Sequence, residues 1–196
     1  MPKIDGIQYP DAGAPLLKNR QLGDMFRAYV KSRMAEENTM FIDAVVKKRD
    51  PKKQYATFFD VNGKHCINVD SKYYSQAKAL AAKKDWKSKD WKGIYDGCEG
   101  IVNRMLSQNF EFAFYKSPAF KAFHARALRK KIKIPAQLKE ELGMEDDAML
   151  IDTVALFMSD REAGAKAAVV LSKRKKTHRS PREVLTSISK FFKMAS

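Results

Sequence analysis

Cysteine is almost missing from this chain: Cys66 and Cys98 are the two among 196 residues. They do not form a Cys-x-x-Cys pair, so no redox or zinc motif is read from them, and reduced, packed thiols in an intracellular protein are the simplest expectation. Histidine is nearly as scarce. His65, His124 and His178 are far apart, with no Cys or carboxylate at metal-ligand spacing, so no metal is expected. A Gly-rich phosphate loop, a nucleophile elbow and a His-Glu-x-x-His helix are all absent. Asp146-Asp147 reads as a pair of early-helix acids. Neither catalytic residues nor a cofactor are therefore expected. Long apolar runs are lacking too. The longest, Met149 to Met158, is interrupted by Asp152 and is too short to span a bilayer. The first residues carry no basic start followed by an apolar stretch, Gly does not follow Met1, and no prenylation box closes the sequence. Neither a signal peptide nor a lipid anchor is expected.

What is present is an ordinary globular apolar fraction, 44%, and a net charge of +15. The length fits one domain plus an appendage. The charge implies an acidic partner: an anionic membrane face, nucleic acid or an acidic protein patch.

The apolar spacing is helical almost throughout. Residues 1–13, with Pro2, Gly6, Pro10 and Gly13, read as an irregular lead-in. Leu22, Met25, Phe26, Tyr29 and Val30 mark one buried helix face, and Met40, Phe41, Ala44 and Val45 mark another. Glu36 and Glu37 occupy the first turn of that second helix, where negative charge suits the helix dipole. Asp50-Pro51 closes it. Asn62-Gly63 signals a turn. A β-hairpin of 57–61 with 65–69 ranks below a helical reading of Tyr55, Phe58 and Phe59. Asp70 reads as the N-cap of a helix holding Tyr73, Tyr74, Ala77, Leu80 and Ala81. Trp91, Ile94, Tyr95, Cys98, Ile101, Val102, Met105 and Leu106 form the longest stripe. Ser117-Pro118 opens a further helix. No sheet, repeat or heptad is visible, so an all-α chain is expected.

Beyond Lys131 the sequence predicts a helical, basic C-terminal extension, 132–196. A short helix runs from Pro135 to Gly143, and two more cover 148–158 and 161–171. The basic run Lys173-Arg174-Lys175-Lys176, with Arg179, then precedes Ser180-Pro181-Arg182-Glu183, a capping box. The helix it starts carries Val184, Leu185, Ile188, Phe191 and Phe192 on one side. The basic run beside this amphipathic helix suits anionic lipid. Packing of the helix on the chain's own core, and a nuclear-import signal, are the competing readings.

Three segments in order carry a resemblance. Glu36-Glu37-Asn38-Thr39-Met40-Phe41, Ile67-Asn68-Val69-Asp70, and the stretch from Tyr95-Asp96 through Met105-Leu106 to Phe114-Tyr115-Lys116-Ser117 resemble the regulator-of-G-protein-signalling (RGS) domain family over roughly residues 14 to 130. The resemblance implies an RGS-like nine-helix domain, 14–131, made of a four-helix bundle plus a terminal subdomain. It implies a binding module that engages the switch regions of a GTP-bound heterotrimeric G-protein α subunit and accelerates GTP hydrolysis without catalytic residues of its own. Glu37 and Asn38 would lie at the loop entering the fourth helix, Asn68 would insert between the switches, and Met105, Asn109 and Lys116 would form a third contact edge. Some positions depart from the family. Ile42 replaces the usual Trp, the link at Asp50-Pro51 is short, Arg33 lies where an acid is frequent, Asn109 stands for an Asp, and Ala113 stands for an Arg that steadies it. The short link implies trimmed bundle helices, and Asn109 with Ala113 implies an underbuilt third edge.

The alternatives are a degenerate RGS-homology scaffold that docks the α subunit, another protein or membrane without activation, and a basic helical nucleic-acid-binding protein. The last ranks lowest because the lysines are scattered in sequence. A cytoplasmic location is expected, with peripheral attachment at the plasma membrane or nuclear import through the tail.

Overall fold

The computed structural model describes residues 2–63, 65–143, 147–173 and 179–192. Apart from one small hairpin, the described elements are helical. Two compact units are present, Met1–Tyr115 and Lys116–Ser196.

The lead-in is more ordered than its composition predicts. β1 (Lys3–Ile4) and β2 (Ile7–Gln8) pair antiparallel across Asp5-Gly6. Both turn residues have positive φ, 45° and 76°, the geometry a two-residue hairpin loop demands and the reason Asp-Gly serves there. Tyr9 and Ala12 are then buried, so the lead-in belongs to the first unit.

α1 (Ala14–Lys18), α2 (Arg20–Ser32) and α3 (Glu36–Val46) follow. Arg27 locks them together. Its Nε and Nη2 donate to Asp43 at 2.8 and 2.6 Å, and Nη2 also donates to the Leu17 carbonyl at 3.1 Å. A planar fork meeting a carboxylate this way fixes orientation as well as distance. Asp50 caps α4 (Pro51–Gln54) by accepting from the Lys52 N–H at 3.1 Å. The helix continues as a π-helical stretch, Tyr55–Phe59, so this segment is not a strand. After the 60–70 connection come α5 (Ser71–Ala82) and α6 (Asp90–Leu106). Asp70 stands at the N-cap position of α5 without a side-chain cap.

Aromatic rings join these segments. Phe41 meets Phe58 edge-on at 5.4 Å. Phe59 reaches Tyr74 at 5.9 Å and Tyr95 at 6.2 Å. Trp91 stacks on Trp86 and on Tyr95, both at 5.7 Å. α6 does not stop where its apolar stripe ends at Leu106. It runs on through a π-helical stretch, Ser107–Glu111, into α7 (Phe112–Tyr115), and Phe114 packs edge-on against Phe26 at 5.1 Å.

The sequence assigns the Ser117-Pro118 helix to the first domain, with a boundary at Lys131. The structure puts α8 (Pro118–Arg129) in the second unit. Lys121 of α8 pairs with Asp160 at 2.8 Å, and Arg129 pairs with Asp152 of α10, so α8 is tied to the C-terminal helices. α9 (Ala136–Leu142) ends at Gly143 in the left-handed region. α10 (Asp147–Ser159), α11 (Arg161–Ser172) and α12 (Pro181–Phe192) complete the unit. The capping box forms as expected. Ser180 Oγ accepts from the Glu183 N–H at 3.3 Å, and Glu183 accepts from the Ser180 N–H at 2.7 Å. Those bonds to Ser180 hold the Glu183 carboxyl below its ordinary range.

Val184 and Ile188 of α12 are fully buried with Leu138, Leu142, Leu150, Val154, Ala168 and Leu171, and Phe191 and Phe192 pack against the same cluster. The apolar face of the tail helix is therefore spent inside its own unit rather than left for lipid. Burial of each such side chain contributes about 1.5–3 kcal/mol.

Two measurements probe this second unit. At Gly164 an added Cβ would sit 2.2 Å from the Phe157 Cα on α10. The backbones cannot part without opening the core, so Gly164→Ala should lower stability by about 1–3 kcal/mol in chemical denaturation. The hydrogen bond from Lys121, followed by backbone N–H donors, lowers the Asp160 pKa. A group depressed in the folded state stabilises it above its unfolded pKa, about 4, and that stability is lost as pH falls through the folded value. Asp160→Asn should therefore flatten the acid limb of a stability-versus-pH curve and lower stability at neutral pH.

Candidate binding site

The connections decide where the polar residues go. α3, the α4 segment, α5 and α6 are joined by residues 47–50, 60–70 and 83–89, an order that favours antiparallel neighbours in a helical bundle. The contacts agree. The Ile67 N–H donates to the Phe58 carbonyl at 3.1 Å, tying the 60–70 connection to the end of the π-helical stretch. Tyr73, early in α5, lies against Gly97, well along α6, whereas the Trp91 indole, early in α6, donates to the Asp85 carbonyl just beyond α5 at 2.9 Å. The first turn of α3, the 60–70 connection and the C-terminal end of α6 therefore share one end of the unit. Glu37, Asn38, Asn68, Met105 and Asn109 are all at this end.

Their exposures differ. Asn68 and Asn109 are exposed, and Glu37 and Met105 are half-buried. Asn38 is buried at 6% exposure, so it is not displayed at the surface as an entry-loop contact residue would be. Its Nδ2 donates to Glu37 Oε1 at 2.9 Å, and its buried Oδ1 has no hydrogen-bond partner. A buried acceptor left unpaired costs about 1–3 kcal/mol. Glu37 and Asn38 are the one pair of this set joined by a hydrogen bond among the described residues. Lys116 is exposed and opens the second unit. Lys173 is exposed and Arg179 half-buried, the latter 3.6 Å from Glu141. Arg174, Lys175 and Lys176 lie outside the described residues.

The third edge has supports that the sequence does not reveal. Asn103 Oδ1 accepts from the Ala14 N–H at 2.9 Å, Glu111 accepts from the Ala12 N–H at 3.3 Å and from Ser107 Oγ at 2.6 Å, and Tyr115 donates to the Pro10 carbonyl at 2.5 Å. The lead-in thus straps the stretch that carries Asn109. Burial, with nearby Glu111 and Asp11 secondary, pushes the Tyr115 hydroxyl well above its ordinary value, so it stays a donor. The partners that join the lead-in to this stretch are 89 to 105 residues apart in sequence, beyond the reach of any local pattern. Asn109 falls within the π-helical stretch, a distortion that is frequent where a helix serves a function.

Among the described residues no group of three His, Cys, Asp or Glu could hold a metal ion. Burial pushes the Cys98 thiol up to about 12, which removes it as a nucleophile at neutral pH. No helix of the described residues is long and apolar enough to cross a membrane.

The unpaired Asn38 acceptor generates a test. Asn38→Leu keeps the branched shape and removes the orphaned group, so the thermal midpoint should hold or rise. If the amide serves a partner rather than the fold, partner affinity should fall in the same variant. A drop in midpoint of more than a few degrees would make Asn38 structural. The chain matches no family model, no curated protein and no solved structure.

Proposed function

We propose that this chain is an RGS-like regulator of heterotrimeric G-protein signalling. In this reading it docks the switch regions of a GTP-bound α subunit and speeds hydrolysis by favouring their transition-state conformation. The observation that carries it is the gathering of Glu37, Asn38, Asn68, Met105 and Asn109, distant in sequence, at one end of packed helical segments. The α subunit supplies its own arginine and its water-orienting glutamine. It lacks rigidity, and a partner that binds the transition-state geometry best lowers the barrier without touching nucleotide. Exposed amides such as Asn68 can both donate and accept, and rigid helices hold such loops in place. Lys116 belongs to the set by resemblance.

A second reading, docking without activation, is favoured by one observation. Asn109 is neutral and Ala113, one helical turn on, carries no side chain to reach a partner. Charge-assisted hydrogen bonds are roughly twice as strong as neutral ones, so slow or partner-restricted activation is expected.

The deciding experiment is pull-down of α subunits loaded with GDP, with or without aluminium fluoride. Selective capture of the aluminium-fluoride state is expected, and equal capture of both states, or none, sinks activation. Asn68→Ala should weaken capture by about 1–3 kcal/mol. Asn109→Asp with Ala113→Arg should raise single-turnover GTP hydrolysis more than either change alone. A parent already fast and unaffected by the pair would mean that this edge does not limit the rate.

A further inference from the structure

The lysines that look scattered in sequence are not scattered in space. The alternation that gathers Asn68 and Asn109 at one end of the first unit sends the 47–50 and 83–89 connections to the other. Lys47, Lys48, Arg49, Lys52 and Lys53 line the first connection and the start of α4. Lys83, Lys84, Lys87, Lys89 and Lys92 line the second and the start of α6. All ten are exposed, and they outnumber the acids interleaved with them, Asp50, Asp85 and Asp90. Lys92 is paired with Asp96 at 2.6 Å. Tyr55 joins the two groups, with ring centroids 6.0 Å from Trp86 and 6.3 Å from Trp91, and Tyr95 donates to the Pro51 carbonyl at 3.4 Å.

Two of these lysines sit where a helix end prefers glycine. Lys48 and Lys84 have φ of 47° and 54°. After α3, Lys48 N–H bonds to the Val45 carbonyl and Arg49 N–H to the Ala44 carbonyl. After α5, Lys84 N–H bonds to the Ala81 carbonyl and Asp85 N–H to the Leu80 carbonyl. Both are Schellman caps, whose left-handed position is usually glycine. A side chain there strains the backbone, and the same strained choice recurs in both connections of one end, each time as a lysine.

We propose that this basic end is a docking surface for an anionic lipid bilayer. Clusters of four to eight Lys or Arg are the size that attracts phosphatidylserine-type surfaces. The patch is lysine apart from Arg49, point charges suited to a fluid sheet of headgroups rather than a planar fork reading one phosphate or base. Val46, 44% exposed, and half-buried Trp86 supply apolar and amphipathic contacts for the interfacial zone. A nucleic acid fits less well. Trp86 already has Trp91 stacked on it and Tyr55 against it, and neither connection offers an exposed Asn or Gln for base edges. The proposal is independent of the α-subunit reading, since vesicles carry no protein partner.

The test is sedimentation of the full chain with vesicles of phosphatidylcholine alone or with about 30% phosphatidylserine, at about 0.1 and 0.5 M salt. Binding to the anionic vesicles at low salt and its loss at high salt are expected. Lys48→Gly with Lys84→Gly should relieve both strained caps, holding or raising the thermal midpoint, while binding weakens several-fold. A second variant, Lys47→Gln, Lys52→Gln, Lys83→Gln and Lys89→Gln, leaves both caps intact and should weaken binding at least about tenfold. Three results overturn the proposal: no binding by the parent, unchanged binding in both variants with loss on neutralising Lys173 to Arg179, or tighter binding to a single-stranded oligonucleotide through the same lysines.

Discussion

The first unit depends on one constraint: four of its packed helical segments run alternately up and down, held so by the Ile67 to Phe58 bond and by the Phe59–Tyr74 and Tyr55–Trp86 ring contacts. Once that holds, every odd connection faces one way and every even one the other. Local sequence then decides the chemistry of each end without long-range recognition. Amides at the entrance to α3, before α5 and after α6 arrive together. Lysines after α3 and after α5 arrive together at the opposite end. The aromatic contacts among Phe41, Phe58, Phe59, Tyr74, Trp91 and Tyr95 make the alternation rigid, and the Arg27 to Asp43 fork extends it to the preceding helices.

How much of this was legible in the sequence follows from how local each determinant is. The long α6 stripe, the Ser117 cap and the Ser180-Glu183 box are each written within a few residues, and each forms where the spacing put it. Three features were not legible. The lead-in reads as irregular because the groups that order it, Asn103, Glu111 and Tyr115, are about a hundred positions away. The α6 stripe gives no sign of its π-helical continuation, because an inserted residue shifts the phase without changing composition. The grouping of α8 with the C-terminal helices is not written in its own sequence, because its amphipathic face suits many neighbours and its ion pairs are with the distant Asp160 and Asp152. In the candidate site, the motif residues could be named from sequence, but the inward turn of Asn38 could not, since an Asn in a first helical turn can cap, face solvent or be buried.

The places where local rules are broken are informative. A sequence optimised for folding alone would put glycine at the left-handed caps and an apolar residue where Asn38 is buried. Lys48, Lys84 and Asn38 each cost stability that a common substitution would recover, and each falls at one of the two ends rather than along the packed shafts between them. Met34 breaks the same rule after α2, with φ of 57° and a side chain 93% exposed. It lies beside the entrance to α3, at the same end as Asn68 and Asn109. Natural sequences satisfy most local preferences and depart from them where function requires it.

The separation of the two ends has a physical consequence. α6 has 17 residues, and at 1.5 Å per residue it keeps them about 25 Å apart. Charge interactions in solution fade over about 8–10 Å at physiological salt, so the field of the basic end is largely screened before it reaches Asn68 and Asn109. Attachment through the lysines would then leave the chemistry at the amide end almost unaltered. Any influence of one end on the other has to travel as movement of packed helices, and the rings that fill their interface resist it. The arrangement suits a module that is held at a surface by one end and presents the other, in fixed orientation, to a partner. α12 contributes no competing anchor from its apolar face, because Val184 and Ile188 are already buried in the second unit.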